Sequence, residues 1–180
     1  DEAHQGLVLK SKPLQIYTDE DIPTLFEKHG ARALMLDQIS DPRNVGAIMR
    51  SAVAFGIHNI IVQSRSIQHF DGVVAKSASG GREKVNIIQT VNLSRCLCDL
   101  HDLGFFSIGL DGYANTNLSP NTLQNINIVV LGAEGKGIRP LVKSKCDQTL
   151  KIPMTGMESL NVSNAAAITC YIWTLENASF

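Results

Sequence analysis

From residue 31 onward the chain repeats one pattern: a short continuous apolar run, a segment of helical periodicity, then another apolar run. The runs fall at residues 31–36, 59–62, 85–88, 105–110, 126–131 and 149–152. Amphipathic segments lie between them at about 45–55, 73–79, 93–103 and 138–144, and a long final helix is expected over about 162–177. Apolar runs without alternation suit strands buried on both faces, so the pattern predicts an α/β fold: a mostly parallel sheet with helices on both faces. At 180 residues, 44% of them hydrophobic, the chain can fill one such core. Residues 1–30 read as an approach segment. It holds a short edge strand at 6–10, a break at Pro13, and a helix through Ile22, Leu25 and Phe26. That helix is capped by Asp19, Glu20 or Asp21 and ends near Gly30.

In a parallel sheet of this kind, ligands sit beyond the carboxyl ends of the strands, so the loops there carry the functional search. Three stand out. In the first, residues 36–50 (LDQISDPRNVGAIMR), a strand ends at Asp37, Pro42 turns the chain and a helix begins. Asn44 lies at the helix mouth and Arg50 six residues further in, so the two do not share a face. A cap and a surface charge would explain them equally well.

The second loop, residues 129–140 (VVLGAEGKGIRP), runs from a strand into Gly132, Gly135 and Gly137 around Glu134. Its spacing is neither the dinucleotide fingerprint nor a P-loop, and a carboxylate repels phosphate. An adenosine ligand held by backbone groups fits better. The third loop, residues 150–167 (LKIPMTGMESLNVSNAAA), stops a strand at Pro153 and enters a helix through Ser159, Asn161, Ser163 and Asn164. Those four residues can cap the helix, bind a ligand, or do both. The basic run Lys136, Arg139, Lys143, Lys145 and Lys151 is either a solvated face or a phosphate-contacting rim.

Composition narrows the function classes. A formal net charge of −1 gives no global basic field, so any nucleic-acid contact must be local. Cys96, Cys98, Cys146 and Cys170 form no C-x-x-C pair and have no zinc spacing, so they read as reduced core or surface thiols of a cytosolic-type compartment and no metal is expected. The apolar runs are too short for a membrane span, and no signal-peptide pattern opens the chain. A serine hydrolase is disfavoured because no G-x-S-x-G elbow occurs.

Together the three loops resemble the three motifs of the TrmH branch of the SPOUT RNA methyltransferases. N-x-G-A-I-x-R (44–50), strand-G-A-E-G-x-G (131–137) and I-P-M…S-L-N-V-S-N-A-A (152–166) occur in the family's order and near its usual spacing. The resemblance implies a deep C-terminal trefoil knot, an exception to the rule against threaded chains. It also implies S-adenosylmethionine held at Leu131, Gly132, Ile152, Met154 and Leu160, and a homodimer, formed partly through Ile168, Tyr171, Ile172 and Leu175. The family's catalytic set falls on Asn44, Arg50, Glu134, Ser159 and Asn161, and its reaction is methyl transfer to a ribose 2′-hydroxyl of RNA. A guanidinium stays charged up to a pKa of about 12 or more. The expected role of Arg50 is therefore to orient the hydroxyl and a phosphate, with Asn44 and Asn161 fixing it and Glu134 and Ser159 shaping the site.

His4-Gln5-Gly6 resembles the linker between an N-terminal RNA-binding domain and the catalytic domain in the RlmB-type enzymes of 23S ribosomal RNA. With Asp1 opening the sequence, the resemblance implies that this domain is missing and that residues 31–180 form the catalytic domain. Ribosomal RNA is the favoured substrate, with transfer RNA second and a non-catalytic RNA-binding module third. Asn164 departs from the apolar residue usual there, which is expected to alter packing near the cofactor.

Overall fold

The computed structural model describes residues 14–67 and 72–175. The edge strand expected at 6–10, the His4-Gln5-Gly6 linker and residues 176–177 of the final helix lie outside the described residues. Among the described residues eight strands form one sheet: β1 (Ile16–Thr18), β2 (Ala33–Asp37), β3 (Asn59–Gln63), β4 (Asn86–Thr90), β5 (Phe106–Leu110), β6 (Thr116–Asn117), β7 (Ile126–Gly132) and β8 (Gln148–Lys151). Their order is β1-β4-β3-β2-β7-β5-β8-β6, and every pairing is parallel. Helices α1 (Ile22–His29), α2 (Pro42–Ala54), α3 (Ser64–Ile67), α4 (Gly72–Ala78), α5 (Leu93–Asp102), α6 (Pro140–Lys143) and α7 (Val162–Leu175) connect them.

Side chains alternate along a strand, so each strand supplies both faces of the sheet. Leu34 and Leu36 of β2 join Ile60, Val62, Val129 and Leu131 under α2, α4 and α7. Ala33 and Met35 join Ile61, Ile88, Ile128 and Val130 under α1 and α5. The approach segment is part of this packing, because Ile22, Leu25 and Phe26 of α1 are buried. Burying each such side chain contributes roughly 1.5–3 kcal/mol.

The six expected strands are all present. β1 and β6, of three and two residues, were not expected, since IYT and TN carry no apolar run. The helix expected at 138–144 is shorter: Pro140 sits at its N1 position and Arg139 is still extended (φ −56°, ψ 141°), so helical geometry cannot start earlier.

The glycine of N-x-G-A-I-x-R has a packing cause. A Cβ on Gly46 would lie 2.5 Å from Ser77 Cβ and 2.6 Å from the Val74 carbonyl oxygen, so only glycine lets α2 settle against α4. That contact fixes α2, and with it Asn44, at the carboxyl end of β2.

Candidate active site

The strand order reverses between β2 and β7: β3 and β4 extend the sheet on one side, β5 and β8 on the other. The register pairs Asp37 with Gly132 at the carboxyl ends of these two strands. Such a reversal opens a crevice where ligands bind.

Gly132 is required there by close approach. A Cβ on it would sit 2.1 Å from the Gly137 carbonyl carbon, because the loop folds back through an Ala133–Gly137 bridge. The Gly137 N–H donates to the Ala133 carbonyl at 2.8 Å, and Gly135 and Gly137 adopt positive φ (73° and 65°). This tight turn lifts Glu134 clear of the sheet. Arg139 anchors the other end: its backbone N–H, Nε and Nη2 donate to the fully buried Asp37 carboxylate at 2.8, 2.7 and 2.7 Å.

Glu134 is the point where three chain segments meet. Its Oε1 accepts from Asn44 Nδ2 at 3.1 Å, from the Val162 N–H at 3.3 Å, and from Asn161 Nδ2 in a short contact. Asn161 Nδ2 also donates to Asn44 Oδ1 at 3.1 Å. Meanwhile Asn161 Oδ1 accepts from the Ser163 N–H and hydroxyl at 2.9 and 2.6 Å, and its carbonyl accepts from the N–H groups of Asn164 and Ala165. Asn161 is therefore the N-cap of α7 and a node of the polar cluster at once. Of the four Ser and Asn residues able to cap α7, Asn161 does so, because Ser163 and Asn164 already lie inside the first turn. Asn164 is exposed and outside the packed core of the chain. Asn44 is likewise not a cap. That role belongs to Asp41, whose Oδ1 accepts from the Arg43 N–H at 2.9 Å.

A cavity of about 420 Å³ lies against this cluster. Leu131, Gly132, Ile152, Met154 and Leu160 line it, as do Glu134 and Ser159. Asn44 lines a second cavity of about 760 Å³, and Ala133, Glu134, Lys136 and Val162 wall both. Arg50 lines neither: it is exposed, with no hydrogen bond or ion pair among the described residues. Six residues of helix separate it from Asn44, or about 9 Å along the axis. Asn44 and Asn161 thus hold Glu134 and the start of α7, not Arg50, as had been expected.

Two of the five residues of the expected basic rim are internally neutralised. Arg139 is committed to Asp37, and Lys143 Nζ makes a short ion pair with Asp111 at the cavity wall. Burial works to raise the Asp111 pKa, but the Lys143 hydrogen bond, the Tyr113 N–H and the Lys143 charge outweigh it and hold the carboxyl below its usual value. No motif pointed to the Asp37–Arg139 pair, whose members are 102 residues apart.

One other constellation has the residue types of a hydrolase. His101 Nε2 lies 2.9 Å from Ser107 Oγ and 3.1 Å from Asp147 Oδ2. One imidazole nitrogen cannot serve both partners of a nucleophilic triad, and Ser107 is fully buried at the amino end of β5, so the group is structural. Among the described residues no helix is long and apolar enough to cross a membrane, and no group of His, Cys, Asp or Glu could hold a metal ion. All four cysteines are free.

Comparison with known proteins adds to this geometry. Residues 31–171 match the model of the SpoU rRNA Methylase family. The chain is 36% identical over 170 residues to the 23S rRNA (guanosine-2′-O-)-methyltransferase RlmB of Salmonella typhi, covering 93% of this chain and 70% of that protein. It is 35% identical over 171 residues to RlmB of Xanthomonas campestris, covering 93% and 69%. Among solved structures, a TrmH-family protein from Porphyromonas gingivalis superposes with a TM-score of 0.68 at 33% identity, over 78% of this chain and 58% of that one. The SpoU methyltransferase AviRb of Streptomyces viridochromogenes, solved with AdoMet, superposes with a TM-score of 0.72 at 24% identity, over 82% and 58%, a likeness of fold.

Proposed function

The chain belongs to the SpoU rRNA methylase family, and on that premise we propose that it transfers a methyl group from S-adenosylmethionine to a ribose 2′-hydroxyl of ribosomal RNA, a guanosine of 23S rRNA being favoured. The observation that carries this reading is the Asn44–Glu134–Asn161 junction, which joins all three sequence motifs at the wall between two cavities.

The smaller cavity suits the cofactor. Its volume of about 420 Å³ falls within the ordinary range of ligand pockets, roughly 300–1,000 Å³. Leu131, Ile152 and Leu160 offer apolar contact, Gly132 brings backbone close, and the carboxylates of Glu134 and Glu158 favour a cationic ligand. When bound there, S-adenosylmethionine supplies a methyl group activated on a sulfonium.

The protein must hold a ribose hydroxyl in line and stabilise its developing charge. Among the described residues the hydrogen bonds to Glu134 fall on Oε1, so Oε2 is available to accept the hydroxyl's hydrogen bond. Asn44 and Asn161 keep that carboxylate from swinging, and Ser159 closes the cofactor side. Arg50 contacts the phosphate beside the target ribose and offsets negative charge as the hydroxyl passes its proton to Glu134 Oε2.

The knot is part of this proposal. β8 lies in the sheet between β5 and β6, while residues 111–125 run out from β5 to β6 and back to β7. The segment carrying β8 and α7 would pass inside that excursion, which supports threading. A homodimer is supported by α7, where Tyr171 is 52% exposed beside the half-buried Ile168, Ile172 and Leu175. We assign β1 through α7 to one catalytic domain, which starts before the boundary expected at residue 31 because β1 pairs with β4 and α1 packs into the core, and place the enzyme in the cytoplasm.

The test is single-turnover transfer of tritiated methyl groups by the full-length protein to a 23S rRNA transcript and, separately, to a tRNA transcript. Transfer to the first supports the proposal, and transfer only to the second reverses the substrate order. Near-normal rates in both Arg50→Lys and Arg50→Ala would remove Arg50 from the mechanism.

A further inference from the structure

The larger cavity, of about 760 Å³, opens at the carboxyl ends of β2 and β3 on the other side of Glu134 from the cofactor cavity. Gln63, the last residue of β3, lines it although only 7% exposed. Its Oε1 accepts from Arg65 Nη2 at 3.0 Å, and its Nε2 makes a long 3.5 Å contact with the Val91 carbonyl. A buried amide committed in this way fixes the direction of one guanidinium at the cavity wall. Gln38, on the same wall, has a positive φ of 58°, a backbone state that side chains other than glycine rarely adopt and that gathers at ligand sites. Lys136 adds a second cation, while the one Asp41 oxygen that accepts from Arg43 is already engaged.

We propose that this cavity receives the target nucleoside, flipped out of its RNA strand, with Arg65 reading the N7 and O6 edge of a guanine and Gln63 acting as its positioning residue. The inference rests on the methyl-transfer reading above. A ribose held at Glu134 must send its base into one of the two cavities, and the cofactor occupies the smaller. Enzymes that act on a nucleotide commonly take it out of the stack into such a pocket, and unpaired bases are read on their edges or stacked on arginine. A guanidinium presents parallel donors that match the two acceptors of guanine, whereas adenine presents a donor at its N6.

The test uses the full-length protein and two 23S rRNA transcripts. The wild-type enzyme first maps its methylated guanosine, and the second transcript carries adenosine at that position. The wild type is expected to prefer guanosine in kcat/KM on the order of 10- to 100-fold, the discrimination typical of a bidentate arginine contact. Arg65→Ala is expected to bring that ratio close to one, Arg65→Lys to restore it only partly, and Gln63→Leu to raise KM with little change in kcat. Unchanged S-adenosylmethionine affinity by calorimetry shows that the variants are folded. If Arg65→Ala slows both transcripts equally and keeps the ratio, Arg65 contacts phosphate and the base-reading role is overturned while methyl transfer stands. If the wild type transfers no methyl group to either RNA, the underlying reading fails and takes this inference with it.

Discussion

Asn161 Nδ2 donates to Asn44 Oδ1 across 3.1 Å, between residues 117 positions apart, while the Asn161 side-chain oxygen caps α7. One side chain thus serves the fold and the site through different atoms, and the two roles separate by substitution. Asn161→Ala loses both. The lost cap costs about 1 kcal/mol, which lowers Tm by roughly 2–4 °C in a domain of this size. Asn161→Ser keeps a capping oxygen but has no amide to hold Glu134. It is expected to melt within about a degree of wild type while methyl transfer falls at least about tenfold. Calorimetry and a single-turnover assay on both variants check this.

Gly132→Ala places a methyl group where Gly137 already lies, at 2.1 Å. The opposing atoms are backbone, so the loop must move as a whole, and Glu134 moves with it. The expected cost is at least about 3 kcal/mol in urea unfolding, with S-adenosylmethionine binding lost by calorimetry at temperatures where the variant is still folded.

Arg139→Ala leaves the Asp37 carboxylate buried with the backbone N–H of residue 139 as its one remaining hydrogen-bond partner among the described residues. Removing one member of a buried pair costs about 3–5 kcal/mol. The lower end is expected because the Arg139 side chain is 32% exposed. Urea unfolding measures the loss. A change under about 0.5 kcal/mol, as for an ordinary surface residue, would mean that the pair does not anchor the loop.

The cores of six strands were legible because each is a continuous apolar run, and α1 because Ile22, Leu25 and Phe26 keep helical spacing and Gly30 follows His29; the acidic cap expected before Ile22 is not made, since the Asp21 carboxylate accepts from the Thr18 N–H instead. β1 and β6 were not, because an edge strand of two or three residues has no periodicity to read. The motifs located Glu134, Asn44 and Asn161, but not how they divide the work. Four Ser and Asn residues near the start of α7 are chemically alike, and only the backbone path makes Asn161 the cap. The commitment of Arg139 to Asp37 and of Lys143 to Asp111 was equally hidden, since ion pairing across long separations depends on sheet order. The motifs supply one wall of the second cavity through Asn44, Glu134 and Val162, but Gln63 and Arg65 on the opposite wall lie outside all three and left no trace.

Burial raises the thiol pKa of Cys96, Cys146 and Cys170 to about 12, with Asp19 and Asp99 adding to the effect at Cys96 and Asp147 and Asp37 at Cys146. In the unfolded chain these thiols ionise near pH 8.5. Their contribution to stability is therefore complete below that pH and is lost as pH rises toward about 12. Urea midpoints measured from pH 8 to 11 should fall more steeply for wild type than for a variant with alanine at all three positions. At pH 8 a thiol reagent should label Cys98 well before the other three.

The most direct measurement locates the transferred methyl group. Full-length protein, tritiated S-adenosylmethionine and a 23S rRNA transcript are incubated, and the RNA is hydrolysed in alkali, which cannot cut beside a 2′-O-methylated ribose. The account predicts that the tritium appears in a single alkali-resistant dinucleotide, and that Glu134→Gln, which keeps the shape but not the charge at the junction, reduces it at least about tenfold. Tritium on a base in alkali-sensitive mononucleotides, or undiminished labelling by Glu134→Gln, would contradict it.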